Sequence, residues 1–245
     1  MSRFLLVLLA ALVAAPASFA QLGLGADLMS RYVWRGYDFG ESLSIQPYLD
    51  YTATFEGGSV TVGTWASYSV GTDFGGANEH DLYISASVGP VSFGVTDYYF
   101  PTAGGGLVAE PDADVDDFDF FDYENAHLIE PFVSFDGVES FPISLYAAAI
   151  VYGNGDLNSS GDQNISTYLQ ASYALPLEEV ELGFALGVVP MESAFYLTDG
   201  FAVVNVTLSA SREVAITEDF GIPVMVGYTL NPELERTYLV FGISL

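Results

Sequence analysis

The chain contains no cysteine and no lysine, and its five basic residues are all arginines, against 32 Asp and Glu. Without thiols, the chain can form no disulfide bond, cysteine-ligated metal site or thiol nucleophile. A net charge of −27 also excludes the basic surface that nucleic-acid phosphates require. An acidic balance without lysine is typical of proteins from high-salt habitats, where salt screens self-repulsion. Acidic loops on a surface protein would give the same composition.

The chain also lacks the run of about 20 apolar residues that a transmembrane helix needs. Its main apolar run, Phe4 to Ala15, is shorter, follows Arg3 and precedes Ser18-Phe19-Ala20, which suits a signal peptidase. We therefore predict a cleaved secretory signal over residues 1–20 and a single domain over residues 21–245. A membrane anchor or a buried N-terminal helix is the alternative.

The chain has an apolar composition, and its apolar residues recur with the period of a β-strand. Hydrophobic residues make up 51% of the sequence and aromatic residues 15%, and the mean hydropathy is +0.35. Apolar and polar residues alternate: Ile45, Leu49 and Tyr51 share one strand face, while Gln46 and Asp50 share the other. An exported, apolar chain without spanning helices predicts a transmembrane β-barrel.

Twelve segments show this alternation, and the connections between them are alternately longer and shorter. This asymmetry is typical of outer-membrane barrels, which have short periplasmic turns and longer outer loops. The predicted fold is an all-β, antiparallel up-and-down barrel of about twelve strands in a bacterial outer membrane, with both termini periplasmic. A soluble β-sandwich is the alternative, although its outward faces should carry many charges.

Three short segments near the start carry a family resemblance. They are Tyr32 to Gly36, Ser44 to Pro47 and Gly63 to Ser67, with weaker support from residues 79–83 and 99–101. In these segments the chain resembles the TorF-type family of outer-membrane porins. The resemblance implies a channel.

The polar faces of the predicted strands supply pore-lining candidates. A strand over Gly25 to Tyr37 places Arg31 and Arg35 on one face, and Arg31 then lies opposite Tyr48 or Asp50. Because a barrel of about 8 strands is filled by side chains and one of 16–18 is open, twelve strands allow a narrow pore or a plugged barrel. An ion-pair network that closes the barrel is therefore an alternative role for the charged candidates. The pore-lining candidates are Arg31, Arg35, Tyr48, Asp50, Trp65, Tyr83, Glu130, Gln170 and Glu181.

Catalytic and metal-binding patterns are weak. The two histidines, His80 and His127, fall near predicted outer loops without a matching nucleophile cluster, so we expect no enzyme, with an outer-membrane hydrolase as the minor alternative. Two acidic loops could bind divalent cations loosely, but neither completes a calcium-loop pattern, and solvated charge explains them better. No cofactor is expected. The weak metal candidates are Asp112, Asp114, Asp116, Asp156, Asn158 and Ser160.

These observations together predict a porin-like channel for passive diffusion of small hydrophilic solutes or cations, surrounded by outer-membrane lipid. Acidic residues at its mouth would concentrate cations and repel anions. The alternative is a non-conducting structural or surface-binding barrel whose acidic loops bind ions or a partner. The sequence leaves the oligomeric state open.

Overall fold

The computed structural model describes residues 19–71, 78–101, 120, 121, 123 and 126–245. Within these residues, β2 and β3 form a separate two-stranded sheet, and the other twelve strands close into an antiparallel barrel in which β1 meets β14. The strands are β1 (Phe19–Met29), β2 (Tyr32–Trp34), β3 (Tyr37–Gly40), β4 (Ser44–Phe55), β5 (Gly58–Ser69), β6 (Glu79–Val88), β7 (Val91–Tyr99), β8 (His127–Phe135), β9 (Ser144–Ala149), β10 (Thr167–Pro176), β11 (Glu181–Val189), β12 (Ala202–Ala215), β13 (Gly221–Asn231) and β14 (Arg236–Ser244).

The closed barrel confirms the predicted fold class and strand number, and it excludes the β-sandwich because one sheet closes on itself. The barrel strands after β1 lie close to their predicted positions. No helix among the described residues has the length and apolar character to cross a bilayer. The predicted signal segment lies almost wholly outside the described residues, so it stays a prediction, as does the periplasmic location of the termini.

The outward face of the barrel wall is apolar. On β1, Leu22 is 67% exposed and Leu24 is 75% exposed. Exposed leucine and phenylalanine side chains continue this surface around the barrel. A continuous apolar belt of this kind is unfavourable in water and matches the hydrocarbon of a bilayer. The belt includes Leu49, Leu82, Phe93, Phe184, Leu208 and Phe241.

The two ends of the barrel differ in their connections, as predicted. At one end, β4–β5 and β6–β7 are joined by only two residues each, 56–57 and 89–90. At the other end, β1–β4, β9–β10 and β11–β12 are joined by residues 30–43, 150–166 and 190–201. We refer to these as the turn end and the loop end.

The predicted strand from Gly25 to Tyr37 is wrong beyond Met29. Residues 19–29 pair with β4 along its length, from Phe19 opposite Thr54 to Met29 opposite Ser44. No wall position on β4 is then left for residues 32–37. The chain bends at Ser30 and instead forms β2 and β3, a hairpin of its own.

This hairpin turns into the barrel at the loop end, and we call β2, β3 and their turn the inward hairpin. Its two turn residues, Arg35 and Gly36, have φ of 51° and 86°, which is the geometry of a tight turn that favours a right-twisted hairpin. The turn reaches the far wall, where the Asn231 side chain donates to the Gly36 carbonyl at 3.1 Å. The inward hairpin therefore crosses the lumen rather than extending the wall.

Candidate functional site in the lumen

The inward hairpin fills the loop-end half of the lumen with aromatic and aliphatic side chains. Tyr32, Tyr37 and Phe39 of the hairpin are each less than 9% exposed, and they belong to one cluster with inward-facing residues of β7, β8, β10, β11 and β12. We call this packed layer the closed half. The wall and loop residues of this cluster are Tyr98, Phe100, Leu128, Ile150, Tyr168, Val189, Phe195, Tyr196, Ala202 and Val204.

An ion pair between the hairpin turn and the wall lies at the centre of the closed half. Arg35 donates from Nη1 to Glu130 Oε2 at 2.6 Å and from Nη2 to Glu130 Oε1 at 2.8 Å. The Arg35 side chain is 7% exposed and that of Glu130 is fully buried. This two-pronged geometry is the strongest that an arginine and a carboxylate can form. It ties the hairpin turn to β8.

Aromatic groups complete the surroundings of Arg35. Its guanidinium also donates to the Tyr196 hydroxyl at 2.6 Å and to the Tyr146 hydroxyl at 2.9 Å. The guanidinium carbon lies 4.1 Å from the Trp34 ring centroid and 4.6 Å from that of Tyr168, within range of cation–π attraction. Because both terminal nitrogens of Arg35 and both carboxylate oxygens of Glu130 have partners, this buried pair holds the hairpin in one position.

The second arginine of the hairpin has a different setting from the predicted one. Arg31 is not in the barrel wall and does not face Tyr48 or Asp50; it pairs at 3.2 Å with Asp38 of the same hairpin. Burial raises the pKa of Asp38, and Arg31 opposes that rise. The predicted network of both arginines with Asp50 and Glu130 is therefore present only as Arg35–Glu130.

Towards the turn end, the lumen changes character, and we call this part the open half. Here large inward side chains lie flat against glycines on the neighbouring strand. A Cβ built on Gly63 would lie 2.4 Å from the Tyr83 ring, and one on Gly23 would lie 2.5 Å from Asp50 Oδ2. Both large side chains are only half-buried. The glycines let these side chains fold onto the wall, and the partial exposure of the side chains indicates space beside them.

The remaining predicted pore-lining residues fall into both halves. Tyr48 faces the lumen over Gly25, and Trp65 packs partly buried against the hairpin cluster. Gln170 faces inward and accepts a hydrogen bond from the Tyr168 hydroxyl at 2.6 Å. Glu181 has inward parity but lies exposed at the turn-end rim of β11. These residues lie on the inward faces of their strands, and the two arginines lie in the lumen on the inward hairpin instead of on the wall. That any of them lines a pore stays a prediction.

A β-bulge in β12 shapes the closed half and has no sequence signal. Asn205 pairs with Gly187, while Val203 pairs with Val188, so Val204 is the extra residue. The bulge turns Val204 inward, where its carbonyl meets the hairpin turn: a Cβ on Gly36 would lie 1.9 Å from that oxygen. Only glycine therefore fits the turn.

The weak metal candidates do not form a site among the described residues, in which no group of three or more His, Asp or Glu side chains is placed to hold a metal. Asp112, Asp114 and Asp116 lie outside the described residues. Asp156 is fully buried and accepts from the Ser166 amide at 2.9 Å and from Gln163. Asn158 Oδ1 accepts from the amides of Ser160 and Asp162. These oxygens organise their own loop.

Of the two histidines, His127 has the surroundings that most resemble those of a catalytic histidine, but its ring nitrogens already have partners. His127 is buried, with Nδ1 2.7 Å from Asp97 Oδ1 and Nε2 2.8 Å from the Phe120 carbonyl oxygen. Its ring stacks on Tyr123 at a centroid distance of 4.1 Å. Because both ring nitrogens have partners, His127 has no ring nitrogen free to act as a base.

Comparisons with known proteins add little on function. No protein-family model matches the chain, and no curated protein matches it. Among solved structures, the chain is similar to one described as a CymD monoaromatic hydrocarbon channel. The identity is 12% and the TM-score 0.42, over 95% of this chain and 91% of that one. A similarity this low carries no argument about the function of this chain, and the resemblance to TorF-type porins stays a prediction.

Proposed function

We propose that this chain is a bacterial outer-membrane, porin-like channel for passive diffusion of small hydrophilic solutes or cations. The observation that carries the proposal is the open half, whose large inward side chains lie against glycines and leave a half-exposed polar wall. A barrel that served only as a rigid body would gain stability by filling this space. The apolar outward belt supports a membrane location.

In this proposal the inward hairpin is the constriction. It occupies the loop-end half, and the ion pair between Arg35 and Glu130 holds it there. Solutes pass when the hairpin shifts or through a narrow path beside it. Asp50, on the wall of the open half, favours cations over anions because a fixed lumen charge biases the ions that enter.

One observation favours a second candidate function. Part of the closed half is buried as deeply as a protein core, with Ile150, Val189, Tyr196 and Val204 at 0% exposure. A permanently sealed barrel would be a non-conducting structural or surface-binding protein. Its loops would then carry the function, and the lumen would only stabilise the fold.

Single-channel recording distinguishes the channel from the non-conducting barrel. The refolded protein is inserted in a planar bilayer under a KCl gradient, together with Arg35→Gln, which releases the hairpin, and Asp50→Asn. The proposal predicts small cation-selective steps for the wild-type protein, larger steps for Arg35→Gln and reduced cation preference for Asp50→Asn. A folded but silent wild-type protein, with Arg35→Gln also silent, would establish the non-conducting barrel instead.

A further inference from the structure

Two neighbouring carboxyl groups on β6 lack the partners that the other buried acids have. Glu79 and Asp81 are 2% and 6% exposed, and their spacing places both side chains on the inward face. The Glu79 carboxyl is hydrogen-bonded to the Tyr32 hydroxyl and to the Asp81 carboxyl. Within the described part of the chain, however, Glu79 Oε2 and Asp81 Oδ1 have no hydrogen-bond partner.

Other acidic side chains of the barrel have a basic partner or hydrogen-bond donors from their own loop. Glu130 has Arg35, Asp97 has His127, and Asp156 accepts hydrogen bonds from its own loop. Two buried carboxyls that hydrogen-bond to each other share a proton, because two unpaired charges so close together and out of water would be costly. Within the described residues no basic side chain takes the place of that proton, so the position beside Asp81 is one where a ligand cation can displace it.

The pair adjoins a cavity of about 350 Å³ between the inward hairpin and the wall. Asp81 lines this cavity, and the rest of its wall is largely aromatic. Since one water occupies about 30 Å³, the space suits a small organic molecule better than a bare ion. Its aromatic lining consists of Tyr32, Trp34, Trp65, Tyr83 and Tyr98.

The basic groups near the cavity are already neutralised. Arg31 lines the cavity, but its guanidinium is 3.2 Å from Asp38. Arg35 is held by Glu130 on the other side of the Trp34 ring. Neither arginine forms an ion pair with Glu79 or Asp81, so no described arginine competes with a ligand cation for these carboxyls.

We infer that this cavity binds a small organic ammonium cation, with Asp81 as its counter-ion and Glu79 adding negative charge behind it. The rings of Tyr32, Trp34 and Trp65 then contact its alkyl groups through cation–π attraction, which is how aromatic cages recognise ammonium groups. Tyr83 and Thr96 also line the cavity, so the ligand enters from the open half. This binding goes beyond the proposed function because it needs neither conduction nor a membrane.

The test uses intrinsic fluorescence, because the chain has two tryptophans and both line the cavity. The refolded protein in detergent micelles is titrated with choline chloride at constant ionic strength. The uncharged isostere 3,3-dimethyl-1-butanol is titrated in parallel. We expect a saturable fluorescence change with choline and at least about tenfold weaker binding of the isostere, which corresponds to about 1.4 kcal/mol.

Asp81→Asn is expected to weaken choline binding at least about tenfold, and Glu79→Gln to weaken it less. Asp199→Asn, the same substitution at an exposed loop position, is the matched control and should leave choline binding unchanged. If Asp81→Asn does not fold, Glu79→Gln carries the comparison. No saturable change with choline, equal binding of the isostere, or unchanged binding in both carboxyl variants would overturn the inference. Because the measurement is made in micelles, its failure leaves the conductance result standing.

Discussion

The closed and open halves of the lumen are built from the same twelve strands, but their inward side chains differ in packing and exposure. In the closed half, inward aromatic side chains point at one another and at the inward hairpin, and their exposure falls to a few per cent. In the open half, large inward side chains lie over glycines on the next strand. Tyr168 of the closed half also lies over a glycine, Gly187, yet it is 1% exposed. What distinguishes the two halves is therefore the inward hairpin, which covers the inward side chains of one half only.

The largest loss of stability is expected when the ion pair between the inward hairpin and the barrel wall is broken. Arg35→Gln leaves the fully buried Glu130 without its counter-ion, which should lower the free energy of unfolding by about 3–5 kcal/mol. Arg31→Gln is the matched control: its partner Asp38 is also in the hairpin, and the Arg31 side chain is 25% exposed. The control should cost about 0–1 kcal/mol. Urea unfolding in micelles measures both, and equal losses would mean that the ion pair does not hold the hairpin.

A smaller effect is expected from the hairpin turn. Gly36→Ala adds a Cβ 1.9 Å from the Val204 carbonyl at a φ of 86°, so the hairpin must move away from β12. Gly57→Ala has nearly the same φ, 89°, but its Cβ meets nothing within 4 Å. We expect a loss of about 2–4 kcal/mol for Gly36→Ala and about 1 kcal/mol for Gly57→Ala. Thermal unfolding of the two variants side by side provides the measurement. Similar losses would place the turn away from the wall.

The smallest effect on stability is expected in the open half. Gly63→Ala forces Tyr83 off the wall, because the new Cβ would lie 2.4 Å from its ring. The side chain can swing into the open lumen, so the loss of stability should be about 1 kcal/mol, while single-channel conductance should fall. Gly200→Ala, whose Cβ meets nothing within 4 Å, is the control for both readouts. A conductance that Gly63→Ala leaves unchanged would argue that Tyr83 is not beside the conducting path.

Alternation of residues was enough to predict most of the wall, because side-chain direction in a strand has a period of two. Trp65, Tyr83 and Glu130 lie on the face that this period assigns to them. The same period misassigned Arg31 and Arg35, since a strand that turns inward alternates just as a wall strand does. What distinguishes them is pairing: β4 is already matched to residues 19–29. A local sequence pattern does not predict which distant residues pair.

Two further features could not be predicted from local sequence patterns, for a similar reason. The bulge at Val204 depends on a register shift between β11 and β12, which no single segment specifies. The Arg35–Glu130 pair joins residues 95 positions apart, so both residues were pore-lining candidates without a known partner. The Arg35-Gly36 dipeptide was the one local sign of the hairpin, because a residue followed by glycine often marks a tight turn.

The difference between the two halves can be measured directly because the chain has no cysteine, so a single introduced thiol is the only one present. Ser67→Cys and Ser85→Cys place it on the inward faces of the neighbouring strands β5 and β6. Ser67 is fully buried in the closed half, and Ser85 is half-exposed in the open half. With iodoacetamide as the neutral reagent, Ser85→Cys should react at least about tenfold faster, since a buried thiol reacts only when the structure opens locally. Equal rates would contradict the central claim that the inward hairpin seals one half of the lumen and leaves the other open to water.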